Sequence, residues 1–273
     1  MKPAPFAYQR PSDLEAALAA LAARQDSASL IAGGQSLVPL LNLRMTLCDA
    51  LIDLGAIAEL RATRDMGARI FIGAGVTHAM IEDGLVPDAS NGLMRKAAAH
   101  IAYRAVRCHG TIGGSVAMAD PAADWPCVLL ALGATALLRG PAGDRIVDMD
   151  ALLVGTYETS LQPGEIILGF EIDRLPTSAR TAYVKSNRKT GAFATSLAVA
   201  VKTDTFARVT LGAASTRARI LQATSAALAA GQDLATLEPI IARDVTSIMP
   251  QPDAYLQNLH ETCVRRAIAE VLA

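Results

Sequence analysis

Two glycine pairs flanked by hydroxyl side chains constrain this chain more than any other feature. The first lies in Ala32-Gly33-Gly34-Gln35-Ser36 and the second in Thr111-Ile112-Gly113-Gly114-Ser115. Adjacent glycines permit positive φ and leave backbone N–H groups with no Cβ in front of them. Successive N–H groups turned into one concavity form an anion nest, and Ser36, Thr111 and Ser115 add hydroxyl donors. One Gly-Gly by itself reads as a tight turn. Two such loops, each behind an apolar segment, fit a pair of nests that close on a single diphosphate.

The 273 residues are 52% hydrophobic and only 19% charged, which excludes a disordered chain and leaves room for one large domain or two ordinary ones. Twenty-five basic residues stand against 26 acidic ones, with no basic stripe, so nucleic-acid binding is not expected. Cys48, Cys108, Cys127 and Cys263 form no CxxC pair, so the chain offers no iron–sulfur or structural zinc pattern and reads as carrying reduced thiols. His78, His100, His109 and His260 fall in no HxH or HExxH spacing, and no GxSxG elbow occurs. No metal ligand and no catalytic residue is therefore assigned. Gly73-Ala74-Gly75 opens a GxGxxG pattern, but His78 stands where the third glycine belongs, and no acid follows at the required distance. The N-terminal segment lacks an apolar signal region. The longest apolar run, Cys127 to Leu138, is too short for a bilayer that needs about 20 residues. A soluble, cytoplasmic protein without a membrane span is expected.

Hydrophobic periodicity predicts a helix opening at Pro11-Ser12-Asp13-Leu14-Glu15, with Ser12 and Glu15 at capping-box spacing. Strands follow at Ser29–Ala32, Leu51–Leu54 and Arg69–Ile72. Thr77 caps a short helix through Ile81, and a longer helix covers Ser90 to Ile101. Asp124 to Leu132 reads as a buried helix, Ala134 to Leu138 as a strand, and Glu165 to Ile172 as another. The polar, proline-bearing Arg174–Ser178 marks a boundary. Beyond it, Thr195–Lys202 and Phe206–Ala213 form an antiparallel hairpin. Helical patterns run over Ile220–Ala230, Leu234–Ile248 and Tyr255–Val271. Strands followed by helices make an α+β signature.

The two loops, read with Leu37-Val38-Pro39 after the first and Arg107-Cys108-His109-Gly110 before the second, closely resemble those of the FAD-binding medium subunit of molybdenum hydroxylases, the carbon monoxide dehydrogenase and xanthine dehydrogenase family. Ala119-Asp120-Pro121-Ala122-Ala123-Asp124 and Gly73-Ala74-Gly75-Val76-Thr77 resemble further stretches of that family. The resemblance spans essentially the whole chain. It implies an α+β fold of the vanillyl-alcohol-oxidase (PCMH) type. Residues 1–176 would be the FAD-binding domain, with α/β subdomains of about 1–56 and 57–176. Residues 177–273 would be a smaller α+β domain of the carbon monoxide dehydrogenase flavoprotein type.

By match to the family motifs, Ala32, Gly33, Gly34, Gln35, Ser36 and Leu37, with Thr111, Ile112, Gly113, Gly114 and Ser115, would hold the FAD pyrophosphate and ribityl. Asp124 would contact flavin or ribose, Leu168 would make a backbone contact near the adenine end, and Lys185 would lie beside the flavin. A cation there favours an anionic reduced flavin. The residues also allow Asp124 as a helix N-cap ahead of Trp125-Pro126, and Lys185 as a solvated strand lysine. Members of the family often carry His at the position of Met118, Asn at His109, Arg at Lys189 and an acid at Ala192; Phe193 falls where a family aromatic sits by the flavin ring. The resemblance further implies a heterotrimer, itself dimerised into a heterohexamer. A large molybdopterin subunit and a small [2Fe-2S] subunit would pass electrons through this chain's FAD to NAD, a quinone or dioxygen. Two other functions remain open: a non-catalytic assembly module, and a free-standing flavin oxidase of the same fold.

Overall fold

A computed structural model describes residues 2–24, 27–251 and 253–273; Met1, at the head of the segment read for a leader, lies outside them. Short apolar runs near the N-terminus become a parallel sheet. Its central strand, Ala50–Asp53, pairs with Ala7–Gln9 on one side and Ala28–Ile31 on the other. The helix Leu14–Ala22 covers it, burying Leu14, Ala17 and Leu21 with Ile52, Ile57 and Leu60. This helix is capped by Asp13, whose carboxylate accepts from the Ala16 amide at 2.8 Å, and not by Ser12, whose hydroxyl donates to Asp13 instead. A carboxylate at the helix start satisfies a free amide and also faces the positive end of the dipole.

A second, antiparallel sheet runs in the order Thr63–Asp65, Arg69–Gly73, Ile166–Asp173, Thr135–Gly140, Gly143–Asp148. A third joins Arg180–Ser186, Ser196–Lys202, Ala207–Gly212 and Arg219–Ile220, also antiparallel. The helix Asp124–Leu132 shares one core with both, and all nine of its residues are buried. Ser196–Lys202 is buried on both faces. Leu197, Val199 and Val201 meet that central core, while Ala198 and Ala200 meet the helices Leu234–Ile248 and Ala254–Leu272. An alternating strand covered on both sides reads as a continuous apolar run.

Several elements depart from the expected bounds. The helix expected over Ser90–Ile101 is confined to Leu93–Ala99, because Asn91 (φ 50°) and Gly92 (φ 85°) are left-handed and Asp88 caps the turn before it. Gly133, left-handed at φ 67°, ends the buried helix and delays the next strand to Thr135–Gly140. Its hairpin partner Gly143–Asp148 was not expected: this edge strand is mostly exposed and carries little apolar signal. Arg180–Ser186 forms a strand whose bounds the sequence did not give, although Lys185 was read as a strand position, and Arg219–Ile220 is strand before the helix Gln222–Ala229 begins. Among the described residues no helix is long and apolar enough to cross a membrane.

Central burial sets the energetic ranking. Leu129, fully buried in the shared core, should cost about 2–5 kcal/mol when cut to Ala. Ile146, 68% exposed on the edge strand, should change stability by less than about 0.5 kcal/mol on the same substitution. Urea unfolding of the two variants measures the contrast.

Candidate functional site

Three chain segments meet to form the wall of a cleft of about 930 Å³. The first runs from the strand Ala28–Ile31 into the helix Leu37–Asn42, the second from His109 into the helix Ile112–Met118, and the third from the strand Arg69–Gly73 into the helix His78–Glu82. The two glycine loops are in direct contact. A Cβ on Gly33 would lie 2.0 Å from the carbonyl oxygen of His109 and 2.8 Å from the Cα of Gly110. No side chain fits there, so this backbone approach requires glycine. Gly113 makes the corresponding approach to the third segment, where a Cβ would lie 2.4 Å from that of Ala74.

The loops do not offer equal donors. Among the described residues, the amides of Gly33, Gly34, Gln35 and Ser36 donate to no protein acceptor, and Ser36 makes no side-chain cap bond. The second loop departs from the expected row of free amides. Ile112 N–H donates to Val76 O (3.0 Å), Gly113 to Ala74 O (2.9 Å), Gly114 to Thr111 Oγ1 (3.0 Å) and Ser115 to Thr111 O (3.1 Å). The first two bonds tie the loop to the third segment, the last two close within it, and the hydroxyls of Thr111 and Ser115 remain as its side-chain donors. Thr77 and Thr111 face each other in an isolated antiparallel bridge, and each caps a helix, Thr77 Oγ1 accepting from Met80 N–H. Two helix N-termini thus stand side by side at the wall, where backbone dipoles favour an anion. The free amides, the hydroxyls and a cleft of this volume fit a diphosphate-bridged dinucleotide.

Ala32, Gly33, Gly34, Gln35, Ser36, Leu37, Thr111, Gly113, Gly114, Ser115, Asp124 and Lys185 all line the cleft. Ile112 does not, because its side chain is fully buried in the central core. Nor does Leu168; its carbonyl accepts from the Ala74 amide at 2.9 Å, and its strand contributes Ile166 and Ile167 to the lining instead. Met118, His109 and Phe193 also line the cleft, with Phe193 62% exposed.

Asp124 is not the N-cap of its helix; Ala123 holds that place, and Asp124 opens the first turn. Its carboxylate is buried and receives the Lys185 ammonium at 2.9 and 3.0 Å and the Tyr183 hydroxyl at 2.5 Å. Lys185 is not solvated either: its side chain is 3% exposed, and its remaining contact is the carbonyl of His100 at 3.3 Å. Burial pushes the Asp124 carboxyl upward, opposed by the Lys185 charge, and the Tyr183 phenol is driven up by burial and by Asp124. The cleft wall therefore carries a compensated ion pair where a lone cation was expected.

Sequence reasoning left out Thr77, His78 and Arg61, which also line the cleft. Only Thr77 gave a local signal, as a helix cap. Burial, with the Arg107 charge nearby, pulls the His78 imidazole down from the usual 6.5 to about 4, so it is neutral at physiological pH. Its Nδ1 accepts from the Trp125 indole N–H at 2.9 Å.

The protein family described as "FAD binding domain in molybdopterin dehydrogenase" matches residues 4–175. Among curated relatives, the 6-hydroxypseudooxynicotine dehydrogenase complex subunit alpha of Paenarthrobacter nicotinovorans is 38% identical over 203 residues, 74% of this chain and 69% of that protein. The carbon monoxide dehydrogenase medium chain of Afipia carboxidovorans is 37% identical over 204 residues, 74% of this chain and 70% of that protein. Carbon monoxide dehydrogenase from Hydrogenophaga pseudoflava superposes with a TM-score of 0.94 at 31% identity, covering 100% of this chain and 99% of that chain. Quinoline 2-oxidoreductase from Pseudomonas putida 86 gives 0.90 at 31% identity, covering 99% and 98%.

Two outcomes are expected from these contacts. His78 titrates lower in the folded chain than in the unfolded one, so as pH falls the unfolded chain takes up the proton first. Its contribution is present above about pH 6.5 and is lost toward pH 4, by about 3 kcal/mol in all. Urea midpoints should fall less steeply over that window in His78→Asn than in the wild type. Lys185→Met, which strands the buried Asp124 carboxylate, should cost about 3–5 kcal/mol, read by the same unfolding curves.

Proposed function

The chain belongs to the family of FAD-binding domains of molybdopterin dehydrogenases, and from that premise we propose that it is the electron-transfer subunit of a molybdenum-containing hydroxylase. It is an oxidoreductase component and its cofactor is FAD. In the proposed assembly a large molybdopterin subunit and a small [2Fe-2S] subunit complete a heterotrimer, itself dimerised, in the cytoplasm. Electrons would leave the partner's clusters through this chain to an external acceptor. We also propose the division at residue 176, with the cofactor held by residues 1–176 and the remainder closing against them.

The observation that carries the reading is the contact of two glycine loops on a cleft wall beside unpaired amides. When bound, FAD supplies a carrier that exchanges electrons singly or in pairs. The chain's own residues do the holding. The amides of Gly33 to Ser36 and the hydroxyls of Ser36, Thr111 and Ser115 would bind the diphosphate without a formal positive charge. Asp124 and Lys185 would face the ligand as a fixed dipole. Leu43, Met45 and Leu47, each more than half exposed, follow the helix Leu37–Asn42 that the first loop opens. They add an apolar surface of the kind that marks a protein contact.

A non-catalytic assembly module would have no use for that row of unpaired amides. Gly33→Val separates the alternatives. It should lower FAD content more than tenfold while partner association, followed by co-purification, persists. Reduction of the acceptor should fall in proportion. Unchanged activity in a Gly33→Val complex would establish the assembly module instead. Substrate turnover by the chain alone, without partners, would establish a free-standing oxidase.

A further inference from the structure

We propose that His78 is a neutral hydrogen-bond donor to the bound dinucleotide, its Nε2–H held by Trp125 for an acceptor oxygen of the diphosphate segment. The inference rests on the FAD-binding reading and deepens it. An indole nitrogen donates and never accepts. The 2.9 Å contact from Trp125 Nε1 to His78 Nδ1 therefore fixes the lone pair on Nδ1. In a neutral ring the proton must then sit on Nε2. Among the described residues Nε2 reaches no protein acceptor, although His78 is only 5% exposed and lines the cleft. Nε2 is not among the fully buried polar atoms left without a partner, so it opens to the cleft, where a bound acceptor can take its proton.

The place of the ring identifies that acceptor. Thr77 caps the helix that begins at His78, and the His78 amide donates to the Gly110 carbonyl at 3.0 Å. The imidazole occupies the space that a side chain on residue 110 would fill, since a Cβ there would lie 2.7 Å from Nε2. Gly110 is also one of the residues against which Gly33 packs. Nε2 thus stands beside the junction of the two glycine loops, where the diphosphate is proposed to sit.

The indole has a specific part in this arrangement. With the proton on Nδ1, the ring would turn a lone pair toward phosphate oxygens and repel them. Trp125 excludes that tautomer. It is a positioning residue that acts through His78, held in turn by the buried helix Asp124–Leu132. A purely structural reading, in which the pair only pins two helices together, gives Nε2 no role.

The test uses the full chain and measures FAD affinity by titration. His78→Asn keeps an acceptor within reach of Trp125 but removes the distal donor; its FAD affinity should fall ten- to a hundredfold. His78→Gln, which restores a distal N–H, should recover most of that loss. Trp125→Phe should weaken binding by a smaller factor, about two- to fivefold. In the wild type, nitrogen-15 NMR of labelled histidine should show His78 protonated at Nε2, with that proton shifting downfield and exchanging more slowly once FAD is added. A folded His78→Asn protein that binds FAD as tightly as the wild type would overturn the proposal, as would an Nε2 resonance unmoved by FAD. A wild type that binds no FAD would overturn the FAD reading and this inference together, so the two failures are distinguishable.

Discussion

The cleft wall exists because backbones approach there more closely than any side chain allows. At Gly33 a single added carbon would overlap the His109 carbonyl, and at Gly113 it would overlap Ala74. These two contacts bring together segments that begin in different sheets, the parallel one at Ala28–Ile31 and the antiparallel one at Arg69–Gly73. Beside these contacts, the amides of Gly33, Gly34, Gln35 and Ser36 find no protein acceptor among the described residues, and all four residues line the cleft. Close packing and free amides therefore occur on one wall. The second loop does most of the packing, its amides spent on Ala74, Val76 and Thr111, while the first keeps its amides free.

That division of labour was only partly legible in the sequence: both loops carry a glycine pair, but only the second opens on a capping residue, Thr111. The amides of Gly114 and Ser115 are spent on Thr111 within the loop, whereas those of Ile112 and Gly113 depend on partners more than thirty positions upstream. The same holds at His78. In the sequence it appears as a histidine without metal-ligand spacing and as the wrong residue for a dinucleotide fingerprint, and its partner Trp125 is 47 positions away. What the sequence did carry was periodicity and punctuation. Asp124–Leu132 and Leu234–Ile248 have the expected bounds, and the hairpin around Thr203-Asp204-Thr205 pairs as expected. Where the pattern failed, a local force outweighed it: left-handed residues at Asn91 and Gly92, or too few apolar side chains on the edge strand Gly143–Asp148.

The buried Asp124–Lys185 pair shows why residue type alone misleads about charge. Lysine near a cofactor suggests a free positive field, and the resemblance to flavin subunits implies one. The geometry neutralises it, since both carboxylate oxygens of Asp124 accept from the ammonium and the Tyr183 hydroxyl adds a third donor. Two desolvated charges so paired contribute little net stability compared with apolar residues of similar size, yet separating them is costly. The pair joins the central helix to the strand Arg180–Ser186. Its value is therefore in fixing how the last sheet sits against the cleft.

The remaining lining charges are sparse and mixed: Arg61 is set against Asp120 and Glu165. A diphosphate held here would be stabilised by partial charges, on amides, hydroxyls and the two helix starts behind Thr77 and Thr111. Partial charges act over short distances, so they demand an accurately placed ligand, whereas a flexible lysine tolerates a misplaced one. Accuracy of this kind is what glycine contacts and a tautomer-locked imidazole provide. It also suits a carrier of electrons. The groups that would grip the diphosphate are distinct from Asp124 and Lys185, and none of them changes its own charge at neutral pH. The hold on the cofactor would then be set by geometry, and would persist through changes in the charge of the ring.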